Sequence, residues 1–247
     1  MAGFQFTSSC SPQGFNFKFN LVLLLMKFLH YFDFIHDRKK AHYLIAGLVV
    51  IFLLFTAVVY SLPTSMVDIE FSEEVQEDSS PALDALMKAV SFFGVTSVAL
   101  TLVFGTAISF FLLDHKVEAA FTLLTLVVSL VTFGIKVLIN RPRPTADLVN
   151  IVEKAQHQSF PSGHTSFYVV FFGFVLFLML RHRHFRKGWR ITIISICGLL
   201  IATVPFSRIY LGAHWFTDVA AGFILGLLVL YFLIMQYIKK AHREEQA

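Results

Sequence analysis

Charge is what this chain has least of. Asp, Glu, Lys and Arg together make up 15% of its 247 residues, where a soluble domain carries about 25%. The deficit is concentrated in long runs that contain none of the four. A soluble fold cannot bury so many uncharged runs and still cover its surface with polar groups, so composition excludes a soluble globular domain. Cysteine is nearly absent too. Cys10 lies in a polar tail and Cys197 in an apolar run, and two such residues build no disulfide framework. With 13 Gly, 7 Pro and 56% apolar residues, the chain is neither collagen-like nor disordered. A net charge of +4 could suggest nucleic acid, but the basic residues fall in short loops between apolar runs. That is a membrane pattern, and no nucleic-acid partner is expected.

What is there is a series of apolar runs and the short segments that join them. The mean hydropathy is +0.70, and about 20 apolar residues suffice to cross a bilayer core. Six spans are the most economical reading: Tyr43–Leu62, Ala89–Leu113, Ala119–Ile135 continuing through Lys136 to Ile139, Thr165–Leu180, Ile191–Phe206 and Val219–Ile238. The fourth and fifth are short alone and need flanking residues within their helices. Earlier in the chain, Phe17–Ile35 is apolar, yet Asn16, Asn20, Lys27, His30, Asp33 and Asp37 fall on one helical stripe. It reads as an amphipathic helix lying in the interface, with a seventh span as the competing reading. The sequence thus predicts an all-α polytopic membrane protein, a six-helix bundle preceded by an interfacial helix.

Orientation follows from the basic residues. Of the 20 Lys and Arg, six (Lys88, Lys136, Arg141, Arg143, Lys154 and Arg208) fall on one side of this topology and 14 on the other. Both termini are therefore expected in the cytoplasm of a multi-pass cell-membrane protein. The segment Pro63–Ala85 carries Asp68, Glu70, Glu73, Glu74, Glu77, Asp78 and Asp84 and no basic residue. It reads as an outward loop, a lid or a tether.

The few basic residues of the outer side keep unusual company. Lys136 ends the third span and is followed by Asn140-Arg141-Pro142-Arg143-Pro144. Ser159-Phe160-Pro161-Ser162-Gly163-His164-Thr165-Ser166 opens the fourth. Ser207-Arg208 closes the fifth, and His214-Trp215-Phe216-Thr217-Asp218 opens the sixth. Arginines at span ends ordinarily snorkel to headgroups, but that does not account for the accompanying His, Ser, Gly and Asp. Lys136, Arg143 and Arg208 supply three cations for a phosphoryl group, arginine's planar fork suiting its oxygens. Ser162 and Gly163, at the start of an apolar helix, offer a hydroxyl and open backbone N–H groups to an oxyanion. His214 and Asp218, four apart, share a helical face. The carboxylate can then accept the Nδ1 proton of His214 and leave Nε2 as a nucleophile. His164 is left to protonate the departing oxygen. The reaction divides into phosphoryl transfer to His214 and hydrolysis of phosphohistidine, with the cationic cradle supplying most of the rate.

These segments resemble the signature of the type 2 phosphatidic acid phosphatase family, whose fold is shared with vanadium haloperoxidases. Lys-x6-Arg-Pro is met by Lys136, Arg143 and Pro144, Pro-Ser-Gly-His by Pro161–His164, and Ser-Arg-x5-His-x3-Asp by Ser207, Arg208, His214 and Asp218. The resemblance covers Lys136–Asp218 closely. It implies His214 as nucleophile, Asp218 as its orienting carboxylate and His164 as acid, with no metal or other cofactor. The chain is thus divided into residues 1–41, a cytoplasmic tail with the interfacial helix, and 42–247, a six-helix membrane domain that the resemblance makes a phosphatase. The site segments are 136–144, 161–166 and 207–218. The implied substrates are lipid phosphates or diphosphates: undecaprenyl diphosphate, phosphatidic acid, phosphatidylglycerol phosphate or a lipid A phosphate.

Other readings remain open at this level. The site suits a phosphotransferase that passes the phosphoryl group to an alcohol, and less well a transporter or a vanadate-dependent peroxidase. Arg141 and Lys154 match no motif and are expected to be solvated or to meet headgroups. His157 reads as an ordinary loop residue. His182, His184 and their neighbouring arginines read as contacts to anionic lipid. Trp215 is expected at interface depth, against a lipid tail, and the 29 phenylalanines as mostly lipid-facing bulk. Asp218 can also cap the sixth helix. Gly222 and Gly226 serve close packing, within the bundle or between protomers of a homo-oligomer.

Overall fold

The computed structural model describes residues 38–246. The expected interfacial helix over Phe17–Ile35 lies outside them. The chain divides into two compact units, residues 1–47 and 48–247. The described part of the first is the opening of helix α1 (Arg38–Ser61), which runs on into the second and stops just before Pro63. No β-strand occurs among the described residues.

The acidic segment is not a loop. It folds into two short helices, α2 (Met66–Gln76) and α3 (Pro81–Ser91), each opened by a serine N-cap. Ser65 Oγ accepts from Asp68 N at 3.2 Å, and Ser80 Oγ from Leu83 N at 3.3 Å, with Pro81 in the first turn. Of its seven acids only Asp68 is buried, while Glu70, Glu73, Glu74, Glu77 and Asp78 stay exposed on these helical turns. A 3-10 turn (Phe92–Gly94) then leads into α4 (Thr96–Leu112). The expected straight second span is therefore bent, by 55°, where Val95 adopts an extended conformation.

Helices α5 (Lys116–Leu124) and α6 (Val127–Ile139) follow almost in line and count as one apolar stretch, ended by Asn140 in the left-handed conformation. Then come α7 (Gly163–Arg181), α8 (Lys187–Tyr210) and α9 (Phe216–Glu245). Among the described residues, five stretches are long and apolar enough to cross a membrane, or six if the bent α3–α4 pair is one span. The two short spans are completed as expected by their flanking motif residues, since Gly163 and His164 begin α7 and Ser207 and Arg208 lie in the last turn of α8.

Helix α7 is the axis of the bundle. Buried residues make up 61% of its apolar stretch, against 22% for α8 and 44% for α9. Phe167, Phe171, Phe172 and Phe174 are all buried along it, so these phenylalanines are core and not lipid-facing bulk. A cluster of Phe167, Tyr168, Phe171 and Phe172 from α7 meets Ala99 and Val103 of α4 and Cys197, Leu200 and Val204 of α8. Aromatic rings fill the space edge-to-face, as between Tyr168 and Phe172 at 5.0 Å. Val59 of α1 packs with Phe160 and Ala221 in a smaller cluster.

Where α9 crosses α7, the two glycines do the packing. A Cβ on Gly222 would stand 2.7 Å from Ser162 O, and one on Gly226 2.7 Å from Val169 Cβ. Ser166 Oγ bridges the crossing, donating to Ser162 O at 2.9 Å and Gly222 O at 3.0 Å. The small residues thus work inside the bundle, between the helices that carry His164 and Asp218. Gly222→Val is expected to destabilise the protein by about 1–3 kcal/mol through overpacking against backbone. Thermal unfolding in detergent measures it, and an unchanged Tm would refute the close crossing.

Candidate active site

The ends of α6, α7, α8 and α9 that carry the sequence motifs meet at one end of the bundle. Asp218, in the first turn of α9, has no solvent exposure. Its Oδ2 accepts from Trp215 N at 2.9 Å and from the Ser159 hydroxyl, and lies 3.5 Å from His214 Nδ1. The carboxylate therefore caps its own helix and orients the histidine at once. His214 itself is not on that helix, as the spacing suggested. It sits in the turn before Trp215, and the capping geometry brings the two groups together.

The tautomer of His214 follows from its neighbours. Arg143 Nη1 lies 3.3 Å from His214 Nε2, and a guanidinium can only donate, so Nε2 carries the lone pair. The proton is then on Nδ1, facing Asp218 and, at 3.4 Å, Ser159 Oγ. Burial, with the positive charges of Arg143, Lys136 and Arg208, holds the His214 pKa well below 6.5. A neutral imidazole with its lone pair on Nε2 is a nucleophile.

The cations are held by backbone carbonyls. Lys136 Nζ donates to Gln158 O at 2.6 Å and Ser159 O at 3.0 Å. Arg143 donates through Nε to His157 O at 2.8 Å and through Nη2 to Gln156 O at 2.8 Å, and through Nη1 to Ala213 O. Burial first, then Arg208, brings its pKa down to about 10, so it stays charged at neutral pH. His157 matters through its carbonyl, its ring being exposed as a loop residue's would be. Arg208 is buried, pairs with the Ser91 hydroxyl and lies 3.2 Å from Glu153 Oε1. Its Nε has no hydrogen-bond partner among the described residues, and neither has His164 Nε2. Buried donors left open in a positive site are suited to an anion.

One phosphate-site assignment looks different in three dimensions. Ser162 is the N-cap of α7, its Oγ accepting from Thr165 Oγ1 at 2.9 Å beneath Gly222. The residue facing the cavity is Gly163, where a Cβ would meet only Lys136 Cε, at 4.0 Å. His164 depends on a residue that no motif marks. A Cβ on Gly94 would stand 2.7 Å from His164 Cγ, so only glycine lets the 3-10 turn pass over the ring.

Arg141 is the largest departure. Expected in solvent, it is 2% exposed and makes a charge-assisted contact with each of its nitrogens. Nη1 donates to Asp218 Oδ1 at 2.5 Å and Thr217 Oγ1 at 2.7 Å, Nη2 to Asp68 Oδ2 at 2.6 Å, and Nε to Pro63 O at 2.8 Å. Asp68 in turn accepts from Thr217 N at 2.9 Å. The two carboxylates thereby neutralise Arg141. Its spacing from Asp218 is 77 residues and from Asp68 73 residues, which no local pattern reveals. Trp215 is likewise 1% exposed, packed within the protein and not against lipid. Lys154 is exposed, as expected.

A cavity of about 690 Å³ opens from this cluster. One end is lined by Lys136, Arg143, Gly163, His164 and His214, and its walls by apolar residues including Leu100, Leu123, Leu130 and Phe133.

Known proteins are similar to this chain in sequence and fold. The chain is 28% identical to phosphatidylglycerophosphatase B of Bacillus subtilis (strain 168) over 201 residues, 81% of this chain and 97% of that protein. It is 38% identical to the bacitracin transport permease protein BcrC of Bacillus licheniformis over 96 residues, 37% of this chain and 41% of that one. Among solved structures, the first transmembrane PAP2 type phosphatidylglycerolphosphate phosphatase from Bacillus subtilis superposes with a TM-score of 0.70 at 25% identity. That match covers 79% of this chain and 96% of the other. The PAP2 superfamily profile matches residues 117–242, which span α5 to α9 and every residue of the three motifs. The chain is a multi-pass membrane protein that belongs to the PAP2 superfamily.

Proposed function

We propose that the chain is a metal-independent membrane phosphatase acting on a lipid phosphate or diphosphate. The observation that carries this reading is the single cavity joining a positive, histidine-bearing end to an apolar wall. A headgroup fits the first and an acyl or prenyl tail the second. Phosphatidylglycerol phosphate is the first substrate to test, from the relative matched along nearly its whole length. Phosphatidic acid and undecaprenyl diphosphate follow. The excess of basic residues on the opposite side supports an extracytoplasmic site with both termini in the cytoplasm.

In the proposed reaction His214 Nε2 attacks phosphorus in line, an N–P bond forms and the bond to the lipid oxygen breaks. His164 delivers a proton to that oxygen. Water then attacks the phosphohistidine, losing a proton to His164, and inorganic phosphate leaves. Lys136, Arg143 and Arg208, with the backbone at Gly163, balance the charge on the equatorial oxygens. Asp218 stabilises the Nδ1–H tautomer throughout. Arg141, Asp68 and Ser159 hold Asp218 in place and are positioning residues.

His214→Ala is expected to lower phosphate release by at least about 10³-fold in detergent-purified, folded protein assayed on the three lipids. Near-normal turnover would sink the mechanism. Added alcohol that captures phosphate as a new ester would instead identify a phosphotransferase.

Asp68→Ala and Arg141→Ala act through the same carboxylate. Each is expected to reduce kcat by about 10-fold or more, and the double variant no further than the worse of the two. Independent, multiplying losses would show that they do not work through Asp218.

The depressed pKa of His214 sets the acid limb of the pH–rate profile. Because the neutral imidazole is the active form, kcat/KM should hold below pH 6.5 and fall only as His214 protonates in stronger acid. Removing one neighbouring cation, as in Arg143→Gln, should move that limb upward in pH, whereas titration of the substrate would not move. An unshifted limb in the variant would assign it to another group.

A further inference from the structure

At the end of α7 away from the active site, about 28 Å along its 19 residues, a second cluster of functional groups occurs that no motif includes. His115 precedes α5, His182 ends α7, and His184 lies in the turn leading to α8. Their ring centres are 5.0 Å apart for His115 and His182, 5.3 Å for His115 and His184 and 5.3 Å for His182 and His184. One nitrogen from each lies within 4.8 Å of the other two. The sequence reading of His182 and His184 as contacts to anionic lipid did not foresee this clustering with His115. Beside them stands Glu118, buried at 7% exposure. Its Oε1 is 2.8 Å from His182 Nε2 and accepts from the Tyr237 hydroxyl at 2.8 Å, and its Oε2 is 3.8 Å from His115 Nδ1.

We propose that His115, His182 and His184 bind one zinc-like divalent transition-metal ion, with Glu118 orienting His182. Imidazole nitrogen is the donor that zinc, cobalt and nickel favour over magnesium or calcium. A histidine ligand characteristically has its other nitrogen held by a carboxylate, which is the place Glu118 takes, itself fixed by Tyr237. Zinc–nitrogen bonds of about 2.0–2.1 Å put tetrahedral donors about 3.4 Å apart. The three rings therefore have about 1.4 Å or less to close. His184, exposed and on a turn, can move that far and gives the ion a path from solvent. Bound metal would tie the α4–α5 turn to the α7–α8 turn at the end of the bundle that takes no part in phosphoryl transfer.

The test uses the full chain, purified through a histidine-free tag, stripped with EDTA and titrated with Co²⁺ and Zn²⁺. The parent is expected to take up an ion with the intense visible absorption of tetrahedral cobalt, displaced by zinc, and His184→Ala to lose that band and one metal per chain. At zinc about 100-fold above Kd, the parent's Tm should rise by about 5–10 °C. Neither His184→Ala nor His182→Gln should show that rise. An equal metal content in parent and His184→Ala, or no cobalt band in the parent, would overturn the proposal and leave a polar cluster held by Glu118 alone.

Discussion

A guanidinium without solvent must be neutralised where it stands, and Arg141 is placed between two equally buried carboxylates. Removing any one of the three would leave an uncompensated charge in that interior. This one bridge explains why an acidic segment folds onto the bundle, why α2 begins where it does, and why Asp218 has one fixed orientation. Because Asp218 also accepts from Trp215 N, the first turn of α9 is set by the same group. His214 takes its tautomer from that arrangement, so the chemistry at Nε2 is referred back to a contact on the far side of the carboxylate.

The remaining cations are treated in the opposite way. Lys136 and Arg143 are partnered mainly by neutral carbonyls of residues 156–159 and Ala213. Carbonyl dipoles hold a cation in position but do not cancel its charge. The field at the cavity therefore stays positive, and it adds to burial in depressing the His214 pKa. One site thus contains a neutralised arginine that builds and unneutralised cations that bind, although all of them come from the same few span ends.

Close packing carries the remaining precision. Gly222 and Gly226 bring the α9 backbone against the start of α7, and Gly94 brings the 3-10 turn over His164. The bend that this turn introduces separates α3 from α4, and the apolar wall of the cavity, from Leu100 to Phe133, opens beside the bend.

Much of this was legible in the chain. Apolar runs marked the spans, because a bilayer demands length and lack of charge, and both are local properties. The residues of the cavity's positive end were legible from spacing, since Lys136 and Arg143 share one span end, and His214 and Asp218 one turn. Burial was not legible. Arg141 looked like any basic residue beside a membrane, Asp68 like one of seven acids in a loop, and Gly94, Ser159 and His115 like nothing in particular. Their roles arise from partners 59 to 77 residues away in three of the cases, where no periodicity connects them. Sequence alone determined which groups reach the same end of the bundle. Only the tertiary structure decided which of their charges are cancelled and which are left to act, because that depends on distance and solvent exclusion, which the order of residues does not contain.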